Sequence, residues 1–174
     1  KRAGMLTMLT SSGKKAGLLV NPGNRAIASE REDFAAALAG KELSVYEAAS
    51  EAEAEAALAK AARDSVGALA VSEDARLNRL REKIIAAATR AKIATVHASR
   101  EDAAAGGLVS HGDIRMEQMI KLGDLAGRVL KGQKPEAIAV VAADKFETVV
   151  NAKTAAALEI ELPAALREGA QILQ

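Results

Sequence analysis

The chain has 174 residues, which is enough for one domain with a substantial core. Aromatic residues make up only 2% of it, so Ala, Leu, Val and Ile must form that core, and 24 basic residues nearly balance 23 acidic ones. A nucleic-acid-binding protein would carry a basic stripe or stacking aromatics, and this chain has neither. The absence of cysteine excludes a disulfide framework, a thiol nucleophile and a thiolate metal site.

Two further observations concern targeting. No apolar run approaches the roughly 18 residues that a membrane-spanning helix needs. The chain opens on Lys1-Arg2-Ala3-Gly4, without an initiator Met or an apolar signal region. We therefore expect a processed or truncated product from which any targeting segment has been lost.

Short apolar runs alternate with helical stretches along most of the chain. After an extended segment at residues 5–10, the predicted strands are residues 16–20, 43–48, 66–71, 93–96 and 108–110. The predicted helices between and after them are residues 29–40, 51–63, 77–91, 100–104 and 114–131. The run Val66-Gly67-Ala68-Leu69-Ala70-Val71 is continuously apolar, which is typical of a strand buried on both faces.

This alternation predicts an α/β fold, a doubly wound five-stranded parallel sheet with helices on both faces. Right-handed crossovers favour the flavodoxin-like strand order 2-1-3-4-5. The extended segments 5–10 and 146–150 bracket this unit, as expected where a chain crosses between lobes, and helical turns are predicted at 152–158 and 163–168. We therefore expect an entering hinge strand in residues 1–15, a lobe in 16–135, and a returning strand with C-terminal helices in 136–174.

Ligands of open α/β sheets bind beyond the carboxyl ends of the strands. The candidate contacts at these ends are polar: Asn21, Ser72, Asp74, Ser99, His111 and Asp113. Helix N-termini following the strands attract acceptor groups, whereas Asp74 and Asp113 suit an ammonium group, so together they fit a zwitterion such as an amino acid. The alternative is that these residues only cap strands and helices.

No catalytic or cofactor motif is evident in the sequence. His97 and His111 are the only histidines, and no metal-ligand spacing joins them. The chain also lacks a Gly-x-Ser-x-Gly elbow and a dinucleotide fingerprint, so we predict no metal, no cofactor and no enzyme activity. A stand-alone flavodoxin-like domain, either a small-molecule enzyme or a ligand-sensing module, remains the alternative to a binding protein.

Four blocks of sequence carry a family resemblance. They are GLLVNPGN at residues 17–24, AGGLVSHGD at 105–113, GRVLKGQKP at 127–135 and KFETVVNAKTA at 145–155. In this order they resemble the ABC-transporter substrate-binding family that includes tryptophan- and phenylalanine-binding members. His111 stands where that family prefers an aromatic residue, and Glu159 where a helix-ending glycine is common.

The resemblance implies a type I periplasmic-binding-protein fold, in which two flavodoxin-like lobes enclose the ligand. At this length the chain would hold the C-terminal lobe of a non-catalytic solute-binding component of an ABC importer. Its partners would be a small polar or amino-acid-like solute and an ABC permease, with self-association of the isolated lobe and no nucleic acid. Its location would be periplasmic or otherwise extracytoplasmic.

Overall fold

The computed structural model describes residues 1–11, 13–38 and 41–174, and a mixed seven-stranded sheet runs through it. The strands are β1 (Lys15–Val20), β2 (Leu43–Glu47), β3 (Val66–Val71), β4 (Ala94–His97), β5 (Val109–Asp113), β6 (Phe146–Asn151) and β7 (Gln171–Leu173). The helices are α1 (Arg2–Leu9), α2 (Ile27–Ala37), α3 (Glu51–Arg63), α4 (Ala75–Arg79), α5 (Arg81–Arg90), α6 (Arg100–Ala104), α7 (Arg115–Leu130), α8 (Ala152–Ala157) and α9 (Ala164–Arg167), with a 3₁₀ turn at Pro135–Ala137.

The strand order is β2-β1-β3-β4-β5-β6-β7. The first five strands pair in parallel and keep the predicted order 2-1-3-4-5. The predicted five-stranded sheet is nevertheless too small. The expected returning strand, β6, joins the same sheet antiparallel to β5, and β7, which was not predicted, pairs with β6 in parallel. The fold is therefore an α/β lobe with a mostly parallel sheet.

Helices cover both faces of this sheet, as a doubly wound fold requires. Because successive side chains of a strand point to opposite faces, the apolar run of β3 is divided between two cores. Ala68 and Ala70 lie in the core formed with α1, α2, α8 and α9, whereas Leu69 and Val71 lie in the core formed with α3, α4 and α5. All residues of β3 except Gly67 are buried.

The extended segment predicted at residues 5–10 is wrong. Residues 2–9 form α1, which packs beneath β3 and β4 with Leu6 fully buried. Its first turn lies at the carboxyl edge of the sheet, where Arg2 bridges Glu30, and it ends at the opposite edge. The apolar residues Ala3, Leu6 and Leu9 recur at helical spacing, but a run this short does not separate a helix from a strand.

Other helix boundaries differ in detail from the sequence pattern. The helix expected over 77–91 is two helices, α4 and α5, which meet at Leu80. The helix expected over 29–40 begins earlier, at Ile27, without a side-chain cap, and its expected end at residue 40 lies outside the described residues. The helices α3, α5 and α8 are each followed, two residues after their last residue, by a non-glycine residue with positive φ: Ser65, Lys92 and Glu159.

The helix α7 has no buried residue, although it is the longest helix in the described part of the chain. Its polar side faces the segment that returns towards β6: Lys121 Nζ lies 2.6 Å from Asp144 Oδ1, and Lys145 Nζ lies 2.9 Å from Glu117 Oε1. Its apolar side is left open, with Met116 69% and Leu130 87% exposed. We refer to residues 114–145 as the arm. None of the described helices has the length and apolar character needed to cross a membrane.

Candidate functional site

A cavity of about 310 Å³ opens at the carboxyl edge of the sheet. Its walls come from the segments that follow β3 and β4, from the end of β5, from the start of β6 and from the first residues of the arm. Of the predicted contacts, Ser99 and Asp113 line this cavity, whereas Asn21, Ser72, Asp74 and His111 do not. The other four side chains have hydrogen-bond or stacking partners of their own.

Asn21 and Asp74 are hydrogen-bonded to each other, and Asp74 also caps the helix α4. Asp74 Oδ1 accepts hydrogen bonds from Asn21 Nδ2 at 3.1 Å and from the backbone N–H groups of Arg76 and Leu77, while Oδ2 accepts from Asn24 Nδ2 at 3.1 Å. Burial raises the pKa of Asp74, but these hydrogen bonds outweigh it and hold the pKa below its ordinary value. Asp74 is therefore the N-cap of α4 and ties that helix to the turn after β1.

Ser72 and Ser99 are also held by neighbouring carboxylates. The Ser72 hydroxyl donates to Glu30 Oε2, and Glu30 in turn lies 3.4 Å from the guanidinium of Arg2. The Ser99 hydroxyl donates to Asp102 Oδ2 at 2.8 Å in a capping box that begins α6. Ser99 lines the cavity, but its hydroxyl proton is donated to Asp102.

Beneath Ser99 lies a buried network of charged and titratable groups. The Asp102 carboxylate bonds to Arg81 and lies 3.8 Å from Nδ1 of His97, which is 2% exposed. Burial lowers the pKa of His97 to about 4, so the ring is neutral at pH 7. Its Nε2 atom has no hydrogen-bond partner in the described residues. The network joins α5 and α6 to the end of β4.

His111 lies on the β5–β6 ladder, on the side of the sheet that faces α1. Its Nδ1 atom is 3.0 Å from Thr148 Oγ1, and its ring stacks on Phe146 with centroids 6.0 Å apart. Burial, and then the positive charges of Lys1 and Arg2, lower the pKa of the His111 ring. The ring thus stacks on Phe146 and lies outside the cavity wall.

The cavity is also lined by charged residues that are not among the contacts predicted from the sequence. Arg100 Nη1 pairs with Glu147 Oε2 at 3.0 Å, and Arg115 Nε lies 3.6 Å from Glu101 Oε1. Glu73 also lines the wall, and no Lys or Arg of the described residues lies within ion-pair distance of its carboxylate or that of Asp113. The sequence signal for Glu73 is its place directly after β3, between the predicted contacts Ser72 and Asp74.

Apolar side chains of the arm complete the wall. Met116 and Met119 are 69% and 55% exposed, and they line the cavity together with Ile114. The site is therefore a concave patch with an apolar side and a charged side. No cluster of three or more metal-binding side chains exists in the described residues. The arrangement is suited to holding a small amphiphilic molecule.

Comparison with solved structures places this lobe among known folds. A conserved domain protein from Vibrio cholerae O1 biovar El Tor superposes with a TM-score of 0.87 at 23% identity, over 98% of this chain and 58% of the other. An ABC domain in complex with L-Trp from Streptococcus pneumonia gives 0.87 at 22% identity, over 98% and 59%. A ligand-free, open substrate-binding protein with adhesive properties from Clostridium difficile gives 0.72 at 19% identity, over 100% and 59%.

These identities show a shared fold, and the chain spans just under three fifths of the length of each solved protein. A search of curated proteins gives no match. The sequence model described as ABC transporter substrate binding protein matches residues 1–172, which is almost the whole chain. The chain therefore belongs to the ABC transporter substrate-binding protein family.

Proposed function

We propose that this chain is one lobe of a two-lobed solute-binding protein that captures a small polar or amino-acid-like molecule for an ABC importer. The observation that carries the proposal is the cavity of about 310 Å³ at the carboxyl edge of the sheet, which is lined by charged residues of the strand-end segments and by methionines of the arm. In an open α/β sheet this edge is the usual ligand position. A second lobe closing over it would bury the ligand by hinge motion.

The lining of the cavity supports an amphiphilic solute. The strands and the segments that follow them contribute the carboxylates and the Arg100 guanidinium, whereas the arm contributes Met116 and Met119 together with Arg115. A zwitterion with an apolar part, such as an amino acid, could use both. The predicted contacts Asn21, Ser72, Asp74 and His111 lie at the same edge, where they would shape the wall from behind. The proposed role is capture and delivery without chemical change.

The arm supports the presence of a second lobe. A helix normally turns its apolar face to its own core, but α7 keeps its ion pairs against the returning segment and leaves its apolar face open. Val140, on the returning segment, is 99% exposed. Apolar surface of this extent calls for a covering partner. Because the apolar side begins at the cavity wall, a lobe seated on the arm would also face the cavity.

The family implies the remaining parts of the proposal. The solute-loaded protein would deliver its ligand to an ABC permease, and that delivery requires a periplasmic or extracytoplasmic location. An isolated lobe with an open arm would also self-associate at high concentration.

A titration of the isolated chain followed by amide NMR tests the site. Amino acids at millimolar concentration are expected to shift the amide signals of Ser99, Asp113 and Met116, and to leave Lys14 and Gly67 at the opposite edge unchanged. Asp113→Ala should weaken the response, and His111→Ala should alter it if the ring shapes the wall from behind. An unchanged response in both variants would remove this edge from the binding site.

A stability comparison tests the arm. Leu130→Ser should change the unfolding free energy of the isolated chain by less than about 0.5 kcal/mol, because its side chain is 87% exposed. In a protein that also carries the second lobe the same change should destabilise by about 1–2 kcal/mol. Leu6→Ala, at a fully buried position, is the control that destabilises both. An equal, negligible effect of Leu130→Ser in both proteins would show that no lobe covers the arm.

A further inference from the structure

The charges of the cavity are not evenly matched. Four carboxylates line it, those of Glu73, Glu101, Asp113 and Glu147, against the two guanidinium groups of Arg100 and Arg115. Counted by formal charge, the wall has a surplus of two negative charges. A ligand that enters this half of the site meets a negative potential.

Both arginines of the cavity already form ion pairs with carboxylates of the protein. Arg100 Nη1 bonds to Glu147 at 3.0 Å and also to Gln171 Oε1, which anchors it between β6 and β7. Arg115 lies beside Glu101 at 3.6 Å. A ligand carboxylate would have to compete with these partners for either guanidinium. The surplus therefore belongs to Glu73 and Asp113, which have no cationic partner among the described residues.

Glu73 and Asp113 reach the cavity from two different parts of the sheet. Glu73 follows β3, and Asp113 is the last residue of β5, so that the shorter strand β4 lies between them. Both residues are exposed, both line the cavity and neither caps a helix, in contrast to Asp74, whose Oδ1 caps α4 and whose Oδ2 accepts from Asn24. These two carboxylates thus keep their acceptor atoms available for a ligand.

We infer that Glu73 and Asp113 form the specificity-determining pair of this lobe and that they bind the cationic ammonium end of the solute. The apolar part of the solute then lies against Met116 and Met119, and any carboxylate of the solute points away from this lobe. The inference rests on the proposed function, because it names the ligand group that this half of the same cavity selects. It assigns a role to Glu73, which lines the cavity, whereas its neighbours Ser72 and Asp74 form hydrogen bonds within the fold.

Matched probes separate this inference from the general proposal. Hexylammonium and hexanoate share one apolar chain and differ in the sign of their charge. Each is titrated into the chain at low ionic strength while the amide signals of Ser99, Asp113 and Met116 are followed. Hexylammonium should bind at least about tenfold more tightly than hexanoate, since a hydrogen bond to a charged group contributes about 1.5 kcal/mol or more and tenfold corresponds to 1.4 kcal/mol.

The variants assign the effect to the pair. Glu73→Gln and Asp113→Asn keep the shape of each side chain and should each weaken hexylammonium binding roughly three- to tenfold, with the double variant losing the preference over hexanoate. Glu161→Gln, at the opposite edge of the sheet, is the control and should leave the titration unchanged. Raising the ionic strength to about 0.5 M should weaken hexylammonium binding in the native chain, since exposed charges are then screened.

Each outcome has one meaning. Equal or tighter binding of hexanoate in the cavity would overturn the inference and leave the proposed solute-binding function intact. Hexylammonium binding that is unchanged in the Glu73→Gln and Asp113→Asn double variant would also overturn it. If neither probe nor any amino acid shifts the cavity residues, both the inference and the proposed function fail. Circular dichroism and thermal unfolding of each variant establish that the fold is retained.

Discussion

Replacing Asp74 tests whether this residue stabilises the fold at the carboxyl edge of the sheet instead of lining the cavity. In Asp74→Ala the helix α4 loses its N-cap, at a cost of about 1 kcal/mol. Asn21, which is 8% exposed, and Asn24 lose a charged acceptor, and a buried amide left without a partner costs about 1–3 kcal/mol. The expected total is about 3 kcal/mol. For a domain of this size that corresponds to a fall in Tm of about 6–12 °C.

Asp74→Asn distinguishes the cap from the charge. Asparagine is as good an N-cap as aspartate, so the bonds from Arg76 and Leu77 survive, but one of the two oxygens becomes an N–H₂ group that cannot accept from Asn24. The expected loss is therefore smaller, about 1–1.5 kcal/mol. Asp33→Asn, an exposed position on α2, is the matched control and should be neutral.

The pH dependence of this loss has a defined sign. The pKa of Asp74 in the folded protein lies below its ordinary value of 3.8. Its stabilising contribution is fully present above that value and is lost as the pH falls through the lower folded-state pKa. Urea unfolding should thus show a constant difference between the native chain and Asp74→Asn from pH 7 to pH 5, which shrinks below pH 3.8. A Tm for Asp74→Ala within about 2 °C of the native value would refute the reasoning.

Three other changes test the packing around the site. Gly107→Ala would place a Cβ atom 2.7 Å from the His97 ring and 2.9 Å from the Asp102 carbonyl oxygen, so it should lower the free energy of unfolding in urea by about 2 kcal/mol or more. Gly123→Ala on α7 is the control: its Cβ meets no atom within 4 Å, so it should be neutral or slightly stabilising, and equal effects of the two variants would contradict this packing. Because burial lowers the pKa of His97 from 6.5 to about 4, the unfolded chain binds the extra proton first, so stability should fall from pH 6.5 towards pH 4, and His97→Asn should flatten that slope if the ring is its source. Glu159→Gly should stabilise by about 0.5–1 kcal/mol in thermal unfolding, because φ at this position is 58° and only glycine adopts it without strain; a loss of stability would show that the Glu159 side chain matters more than its backbone.

Long periodic patterns predicted the fold better than short ones. The helix α3 begins and ends where the Ala/Glu pattern does, because Ser50 caps it, acidic residues occupy its first turn and basic residues its last. The parallel strands β1 to β4 follow from apolar runs bounded by turns. The elements that the sequence pattern misses are α1, of about two turns, and β7, of three residues. Elements of that length carry too few residues for periodicity to decide, and tertiary packing determines them.

The position of the candidate site could be predicted from the sequence, but not which of its polar residues line the cavity. Strand ends identify the edge of the sheet, since parallel strands bring their carboxyl ends together, and they led to Ser99 and Asp113. They do not tell which of several adjacent polar residues faces the cavity and which turns back to cap a helix. Ser72, Glu73 and Asp74 are consecutive, yet only Glu73 lines the cavity. That choice is made by the loop backbone and by partners distant in sequence, such as Asn21 and Glu30.

The helix α7 can be predicted from the sequence, but the exposure of its apolar face cannot. Its apolar residues recur at helical spacing, which predicts burial, and nothing in the chain indicates that the lobe would leave them exposed. The structure explains this by the ion pairs of Lys121 and Lys145, which fix the polar side of α7 on the returning segment. The helix is thereby turned so that Met116 and Met119 meet the cavity while Leu130 continues the same apolar surface away from it. In the proposed two-lobed protein, one face would therefore join the lobes and border the ligand, so closure over the solute and contact between the lobes would depend on the same side chains.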